Sequence, residues 1–472
     1  MNILDPFIEH VKTDPDKPAI ITNTEQITFE GLDQRSASLA NHFQKQGLKT
    51  RDVALVVLPV GIELYVVLLA LFRMGAVALF PDPSAGLKGV QKCLKVLEVI
   101  AFIGGTTLRW LRPFLPGLRS IPNSLSISYA SSEAQNILAL APEHPALITF
   151  TSGSTGDPKG IIRSHEFLLR QHDMVSAVLR PAPADIDLIS LPVFVLSNLA
   201  SGVVSVIPAG DIRRPGSIDP VPVLEQVEQH GINRMLLPPA FCQRLVETKQ
   251  ELPQLTEIFT GGGPVFPNLL NDLADFAPNA KIVAAYGSTE AEPIAHIALS
   301  EISDEDKEDM KRGKGLLTGH PIDGIHVRIL DDEIIVTGEH VVKGYLNPAH
   351  NASTKLEIDG KTWHRTGDAG RFDDQGRLWL LGRLEARQGE LCPFSVETAA
   401  RSINGVQQAA FIHHNQQDFL VLEMDGQNRS MIEHALRQRF PTITLVNAQI
   451  PLDKRHNSKV DYTRLRALLD AI

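Results

Sequence analysis

Apolar residues recur along the chain at two spacings, and the alternation between them is the first structural signal. A β-branched run, Val53 to Leu58, is followed by a helical run, Ile62 to Met74, and a second short apolar run, Ala76 to Phe80. Strand, helix and strand in that order make a β-α-β unit. The alternation returns through Leu188 to Ser190, Val203 to Ile207, Arg234 to Leu237, Glu257 to Thr260 and Lys281 to Ala285, with helical patterns between. Parallel sheets covered by helices follow from such alternation. From about Gly319 the texture changes to short strands and Gly-containing turns, as in HVRILDDEIIVTGEHVVKGY and RFDDQGRLWLLGR, which predict a smaller β-rich subdomain. The last ninety or so residues return to mixed α and β.

The most apolar stretch, residues 53 to 80, is broken by Pro59, Gly61, Glu63 and Arg73, so it falls short of the roughly 20 uninterrupted residues a transmembrane helix needs. It reads as core, and no transmembrane segment is expected. A chain of 472 residues, 43% of them hydrophobic, has ample material for more than one domain. Asp and Glu total 55 against 45 Lys and Arg, with no long basic run, which argues against a nucleic-acid or anionic-membrane surface. The three cysteines, Cys93, Cys242 and Cys392, have neither metal-ligand nor redox spacing. The opening MNILDPFIEHVKTDPDKPA lacks the regions of a signal peptide, and a cytoplasmic protein is expected. The acidic segment Ser300 to Gly315 reads as a solvated helix or loop without chemistry.

The strongest local signal is LITFTSGSTGDPKG, residues 147 to 160, an apolar strand running into a loop of glycines and small hydroxylated residues. Thr151, Ser152, Gly153, Ser154, Thr155, Gly156 and Lys159 would cradle a phosphate: glycines let the backbone approach, hydroxyls donate, and the lysine adds charge. This is not a Walker loop, because Lys159 is followed by Gly160.

With six further motifs in order, this loop gives the sequence a resemblance, over nearly its full length, to the adenylate-forming superfamily of acyl-CoA synthetases, luciferases and peptide-synthetase adenylation domains. The six are GGGP at Gly261 to Pro264, AYGSTE at Ala285 to Glu290, GEHVVKGY at Gly338 to Tyr345, RTGD at Arg365 to Asp368, the pair Gly382 and Arg383, and Lys459. The resemblance implies ATP and Mg²⁺ as cofactors and a carboxylic acid as substrate. By the same likeness Thr289 binds the α-phosphate and Glu290 ligates Mg²⁺, flanked by Gly287 and Ser288. Asp368 accepts hydrogen bonds from the ribose hydroxyls and Arg383 pairs with the ribose or phosphate region. Tyr286 stacks on adenine, and Gly261, Gly262 and Gly263 line the edge of the base. Lys459 stands where the family places its adenylation lysine, bridging two anions in the transition state.

Three segments resemble one clade, the β-lactone synthetases of olefin biosynthesis, often labelled fatty-acid CoA ligases: LPVFVLSNLASGVVSVIP, RRPGSIDP and RHNSK. Typical CoA ligases have a histidine where Val195 stands, and they carry a longer stretch after the hinge residue, here Glu385. The clade implies that a 3-hydroxy fatty acid is adenylated and then closes on itself; ligation to CoA or an acyl carrier is the alternative. A non-enzymatic nucleotide-binding protein is disfavoured, because Lys159, Glu290, Asp368, Arg383 and Lys459 are all present. His165, His296 and His456 are candidate proton acceptors. Phe194 and Asn198 are candidates for the acyl pocket, although core packing explains them equally well.

The expected fold is α/β: a large N-terminal AMP-binding domain, residues 1 to 383, of two α/β layers plus a β-rich subdomain. A small mobile α+β lid, residues 384 to 472, follows.

Overall fold

The computed structural model describes residues 1–81, 86–129, 136–152, 158–424, 426, 428–453 and 457–471; side chains of 86–88, 151, 152 and 158 are excluded. The chain divides into two compact units. The first comprises Met1–Ala209, Pro222–Asn233 and Glu339–Lys355; the second comprises Gly210–Val221, Arg234–Gly338 and Leu356–Ile472.

In the first unit a six-stranded sheet runs in the order Asn123–Ser124, Ala101–Gly104, Val53–Val57, Val77–Phe80, Pro145–Ser152, Pro158–Ser164. All neighbours are parallel except the last pair, an antiparallel hairpin that carries Lys159 on its second strand. The helix Ile62–Arg73 between two of these strands buries every residue but Glu63. Its all-round apolarity, which resembles a membrane segment in sequence, is thus that of a helix enclosed within a core. Leu55, Leu79, Phe102, Ile148 and Phe150 form one cluster beneath the sheet. A further set of strands in this unit runs Ile186–Ile189, Val204–Val206, Pro18–Ile21, Gln26–Thr28.

In the second unit, Arg234–Leu237, Glu257–Gly261 and Lys281–Ser288 lie parallel and side by side. The sheet then turns antiparallel through Ala291–Ala298, Leu316–Pro321, Leu378–Arg383, Lys361–Phe372, Glu333–Gly338 and Ile325–Leu330. The passage from parallel to antiparallel pairing comes at the hairpin between Lys281–Ser288 and Ala291–Ala298, ahead of the change of sequence texture near Gly319.

The residues after Arg383 build a small α+β layer inside this unit. Its strands are Val406–His414, Gln417–Met424 and Thr444–Asn447. Strict alternation divides them between two cores: Ala409, Phe411, Leu420 and Leu422 pack with Val396, Ile432 and Leu436, whereas Ala410, Ile412 and Val421 pack with Ile450 and Leu465. Each large apolar side chain so enclosed contributes roughly 1.5–3 kcal/mol.

The acidic segment departs from expectation. Ser303 caps a helix, Asp304–Lys311, but Asp306, Asp309 and Met310 face inward. Asp306 takes a two-pronged ion pair from Arg377 at 2.9 and 2.7 Å, so one face of the segment is structural, not solvated. Among the described residues, no helix is long and apolar enough to cross a membrane.

Candidate functional site

The second unit places Gly261 to Gly263 and Tyr286 to Glu290 at the C-terminal ends of its parallel strands, where open α/β sheets bind ligands. Gly261 ends one strand directly opposite Ala285 on the next. A Cβ there would lie 2.6 Å from the Ala285 carbonyl oxygen, so the pairing requires glycine. Gly262 follows with φ +81°, in the left-handed region that glycine adopts without strain. The strand Lys281–Ser288 and the strand Ala291–Ala298 form a hairpin, and Thr289 and Glu290 are its two-residue turn. This places a hydroxyl and a carboxylate together at the tip, both half-buried. Gly287 and Ser288 are the last residues leading into that tip.

Asp368 and Arg383 are cross-strand partners in the antiparallel pair Lys361–Phe372 and Leu378–Arg383. Their side chains meet at 3.0 Å, and Arg383 also donates to the Thr366 carbonyl at 3.1 Å. The other carboxylate oxygen of Asp368 accepts the Tyr286 hydroxyl at 2.8 Å. Burial, reinforced by the neighbouring Asp368 charge, holds the Tyr286 hydroxyl well above the ordinary phenol range, so it remains a donor. The turn is supported from below by Glu333, which is 3% exposed: it accepts the Gly367 N–H at 2.9 Å and pairs with Arg365. Arg365, the first residue of RTGD, is therefore a structural anchor. No sequence signal marked Glu333, which opens an ordinary apolar strand.

Lys459 is exposed and sits near the end of a β-bridged segment. Leu452 and Val460 bridge its base, the Asp453 N–H donates to the Lys459 carbonyl at 2.8 Å, and the Asp453 carboxylate accepts the N–H groups of Ser458 and Lys459 at 3.2 and 3.0 Å. The preceding residue touches the parallel-strand frame: the Ala240 N–H donates to Ser458 Oγ at 3.3 Å, and a Cβ on Gly263 would stand 2.6 Å from the Ser458 Cβ. The structure thus brings the Lys459 loop against the GGGP turn.

In the first unit, Lys159 faces Thr151 across the hairpin, and its ammonium lies 5.6 Å from the centre of the Tyr345 ring. The Leu346 N–H donates to the Gly160 carbonyl at 2.8 Å, which ties the end of GEHVVKGY to the strand Pro158–Ser164. Gly153, Ser154, Thr155 and Gly156 lie outside the described residues, as does His456; Thr151 and Ser152 are placed by their backbone alone.

His165 is fully buried as the first residue of the helix His165–Leu179 and accepts the Ile3 N–H on Nδ1 at 3.1 Å. Burial, with His144 beside it, lowers its pKa to about 4, so it is a neutral core residue. Asn198 donates to Asp187 at 2.9 Å and to Ser205 at 3.3 Å and is 2% exposed, a core role. Phe194 is half-buried on the same helix as Val195, which is in the core.

Against known proteins, the AMP-binding enzyme family matches residues 7–346. The chain belongs to that family. It is 29% identical over 500 aligned residues to an olefin beta-lactone synthetase of Stenotrophomonas maltophilia (strain K279a), covering 93% of this chain and 90% of that one. The same enzyme from Xanthomonas campestris pv. campestris is 27% identical over 93% and 90%. Among solved structures, ATP-bound MatB from Rhodopseudomonas palustris superposes with a TM-score of 0.82 at 20% identity, over 99% of both chains. A benzoate CoA ligase from Burkholderia xenovorans LB400 gives 0.83 at 15% identity, over 99% of this chain and all of the other. The protein is accordingly an adenylate-forming, AMP-producing ligase that uses ATP on a carboxylic acid.

Proposed function

We propose that this AMP-binding enzyme adenylates a 3-hydroxy fatty acid and then closes the adenylate to a β-lactone. The observation that carries the reading is the similarity to two olefin beta-lactone synthetases along 93% of the chain. Two local features support it: Val195 is buried where CoA ligases of the resembling superfamily carry a histidine, and the stretch after Glu385 is short.

In the first step a substrate carboxylate oxygen attacks the α-phosphorus and the bond to pyrophosphate breaks. The Asp368 carboxylate has acceptor positions to offer a ribose, and Arg383 holds it in place from the opposite strand. The Tyr286 ring would lie beside adenine, with Gly261 to Gly263 allowing close backbone approach. Thr289 would donate to the α-phosphate, and the phosphate loop with Lys159 would hold the outer phosphates. Glu290, at the hairpin tip, would offer a hard carboxylate oxygen to Mg²⁺, which would supply charge neutralisation at the phosphates. Lys459 would place its ammonium between the two anionic reactants and stabilise the charge that builds in the transition state.

In the second step the substrate's own 3-hydroxyl attacks the acyl carbon, the carbon–oxygen bond to AMP breaks, and the hydroxyl proton is released. A water-excluding site favours this intramolecular attack over hydrolysis, and holding hydroxyl and acyl carbon in register removes the entropic cost of bringing them together. Residues 384–472 would act as the moving lid, hinged near Glu385.

The experiment is product analysis by mass spectrometry after incubation with Mg²⁺-ATP and a 3-hydroxy fatty acid, with and without CoA. AMP with a dehydrated acid, or its decarboxylated alkene, in the absence of CoA is the expected outcome. An acyl thioester that appears only when CoA is added would overturn the lactone reading and identify a CoA ligase.

A further inference from the structure

We propose that Ser458 is a positioning residue for adenylation: it holds the Lys459 loop by capping a helix 218 residues away and by filling the notch left by Gly263. The helix Pro239–Val246 begins without a local cap, because Pro238 has no side-chain acceptor to offer. Phe241 and Cys242 donate to the Pro238 carbonyl at 3.0 and 3.1 Å, which leaves the Ala240 N–H in need of an external partner. The Ala240 N–H finds it in Ser458 Oγ at 3.3 Å.

The same side chain is sterically fitted. A Cβ added to Gly263 would come within 2.6 Å of the Ser458 Cβ and 3.3 Å of its Oγ, and real Cβ atoms essentially never approach closer than about 3.0 Å. Gly263 is thus the seat for Ser458, whatever else its backbone does at the nucleotide. One residue earlier, Asn457 adopts a left-handed backbone, φ 49°, and sets its Cβ against Gly216, where a methyl would come to 3.1 Å. Gly216 belongs to RRPGSIDP and Asn457 and Ser458 to RHNSK, so two of the clade-like segments meet in space.

The consequence follows from position. Ser458 is bonded directly to Lys459, whose side chain is long and exposed. Its ammonium can be placed reproducibly only if its backbone is, and Asp453 orders the loop internally without fixing it to the frame. Ser458 and Asn457 make that attachment, through contacts at two glycines and one helix N–H.

The proposal rests on Lys459 acting in adenylation, and the test separates the two. Acid-dependent ATP–pyrophosphate exchange is measured for Lys459→Ala, Ser458→Gly, Gly263→Ala and Gly263→Ala/Ser458→Gly, with saturation curves in ATP. Since misplacement by about 1 Å costs on the order of 10²-fold, Gly263→Ala is expected to lower the exchange kcat by about 10- to 100-fold, with the KM for ATP within about twofold. Adding Ser458→Gly removes the clashing Cβ and should restore most of that loss, to the level of Ser458→Gly alone, itself a few-fold below the parent for want of the cap. A Gly263→Ala enzyme that exchanges normally would overturn the proposal. So would a double variant as impaired as the single, which would put the damage in the alanine itself, through misfolding or a blocked nucleotide. Retention of exchange by Lys459→Ala would instead overturn the role given to the lysine.

Discussion

Two aspartate–arginine pairs in the second unit serve opposite ends: Asp306 on the helix Asp304–Lys311 with Arg377, just before the strand Leu378–Arg383, and Asp368 with Arg383 across two strands. Asp306 is saturated by protein: Arg377 donates through two nitrogens, and the Ser303 N–H and hydroxyl donate at 2.9 and 2.8 Å. Arg377 is in turn held by Asp373, which also accepts the Trp379 indole N–H at 3.0 Å. The pair is sealed, with side chains 12% and 6% exposed for Arg377 and Asp306. Asp368 has two donors, Tyr286 and Arg383, for roughly four acceptor positions, and its arginine is 45% exposed. Identical chemistry thus makes a girder where four protein donors converge on a sealed carboxylate, and an open pair where acceptor capacity remains.

The largest effect expected from this contrast is on ATP use. Asp368→Ala removes the carboxylate proposed to accept two ribose hydroxyls; at about 1.5–3 kcal/mol for each such bond, kcat/KM for ATP should fall by 10²-fold or more. The unfolding midpoint should move little, because the exposed arginine left behind is solvated. A variant that lost stability and kept its ATP kinetics would make Asp368 a second girder.

The converse substitution, Asp306→Ala, should leave the KM for ATP unchanged and lower the unfolding free energy. The Arg377 hydrogen bonds hold the Asp306 carboxyl at about 2, below its ordinary 3.8, a difference worth roughly 2–3 kcal/mol. A depressed carboxylate stabilises the fold fully above its unfolded pKa and ceases to do so as pH falls through its folded one. Urea titrations should therefore show the parent and Asp306→Ala furthest apart at neutral pH, converging between about pH 4 and pH 2.

The contrast also explains what was legible in the sequence. Strands and helices of the α/β layers were readable because their apolar spacing is set by burial, as in Ile62–Arg73 and the alternating Val406–His414. The family membership was readable because YGSTE, RTGD and Lys459 stand as motifs in a fixed order along the chain. Partners joined only by folding left no such trace. Asp306 sits in an acidic run that reads as solvated, and its arginine lies 71 residues away. Glu333 opens a common strand and becomes a buried support only when RTGD folds over it. Ser458 looks like a spacer before a lysine until the Pro239–Val246 helix presents an uncapped N–H to it.

The smallest effect tests whether the open pair is arranged in advance of its ligand. Tyr286 donates to the Asp368 oxygen that Arg383 does not contact, so the two donors fix the carboxylate's plane from both sides. An oxygen with two lone pairs can keep the tyrosine and still accept a ribose hydroxyl. Tyr286→Phe preserves the ring and deletes one hydrogen bond to a charged group whose net worth is about 1 kcal/mol or somewhat more, so the KM for ATP should rise roughly three- to tenfold with kcat unchanged. AMP affinity, measured by calorimetry, should weaken by the same factor, since both nucleotides carry the ribose that Asp368 would hold. If instead Tyr286→Phe bound nucleotide more tightly, the hydroxyl would be a competitor that the ribose displaces. The open pair would then be closed until ATP arrives, and the distinction from Asp306 would lie in how easily the tyrosine is exchanged.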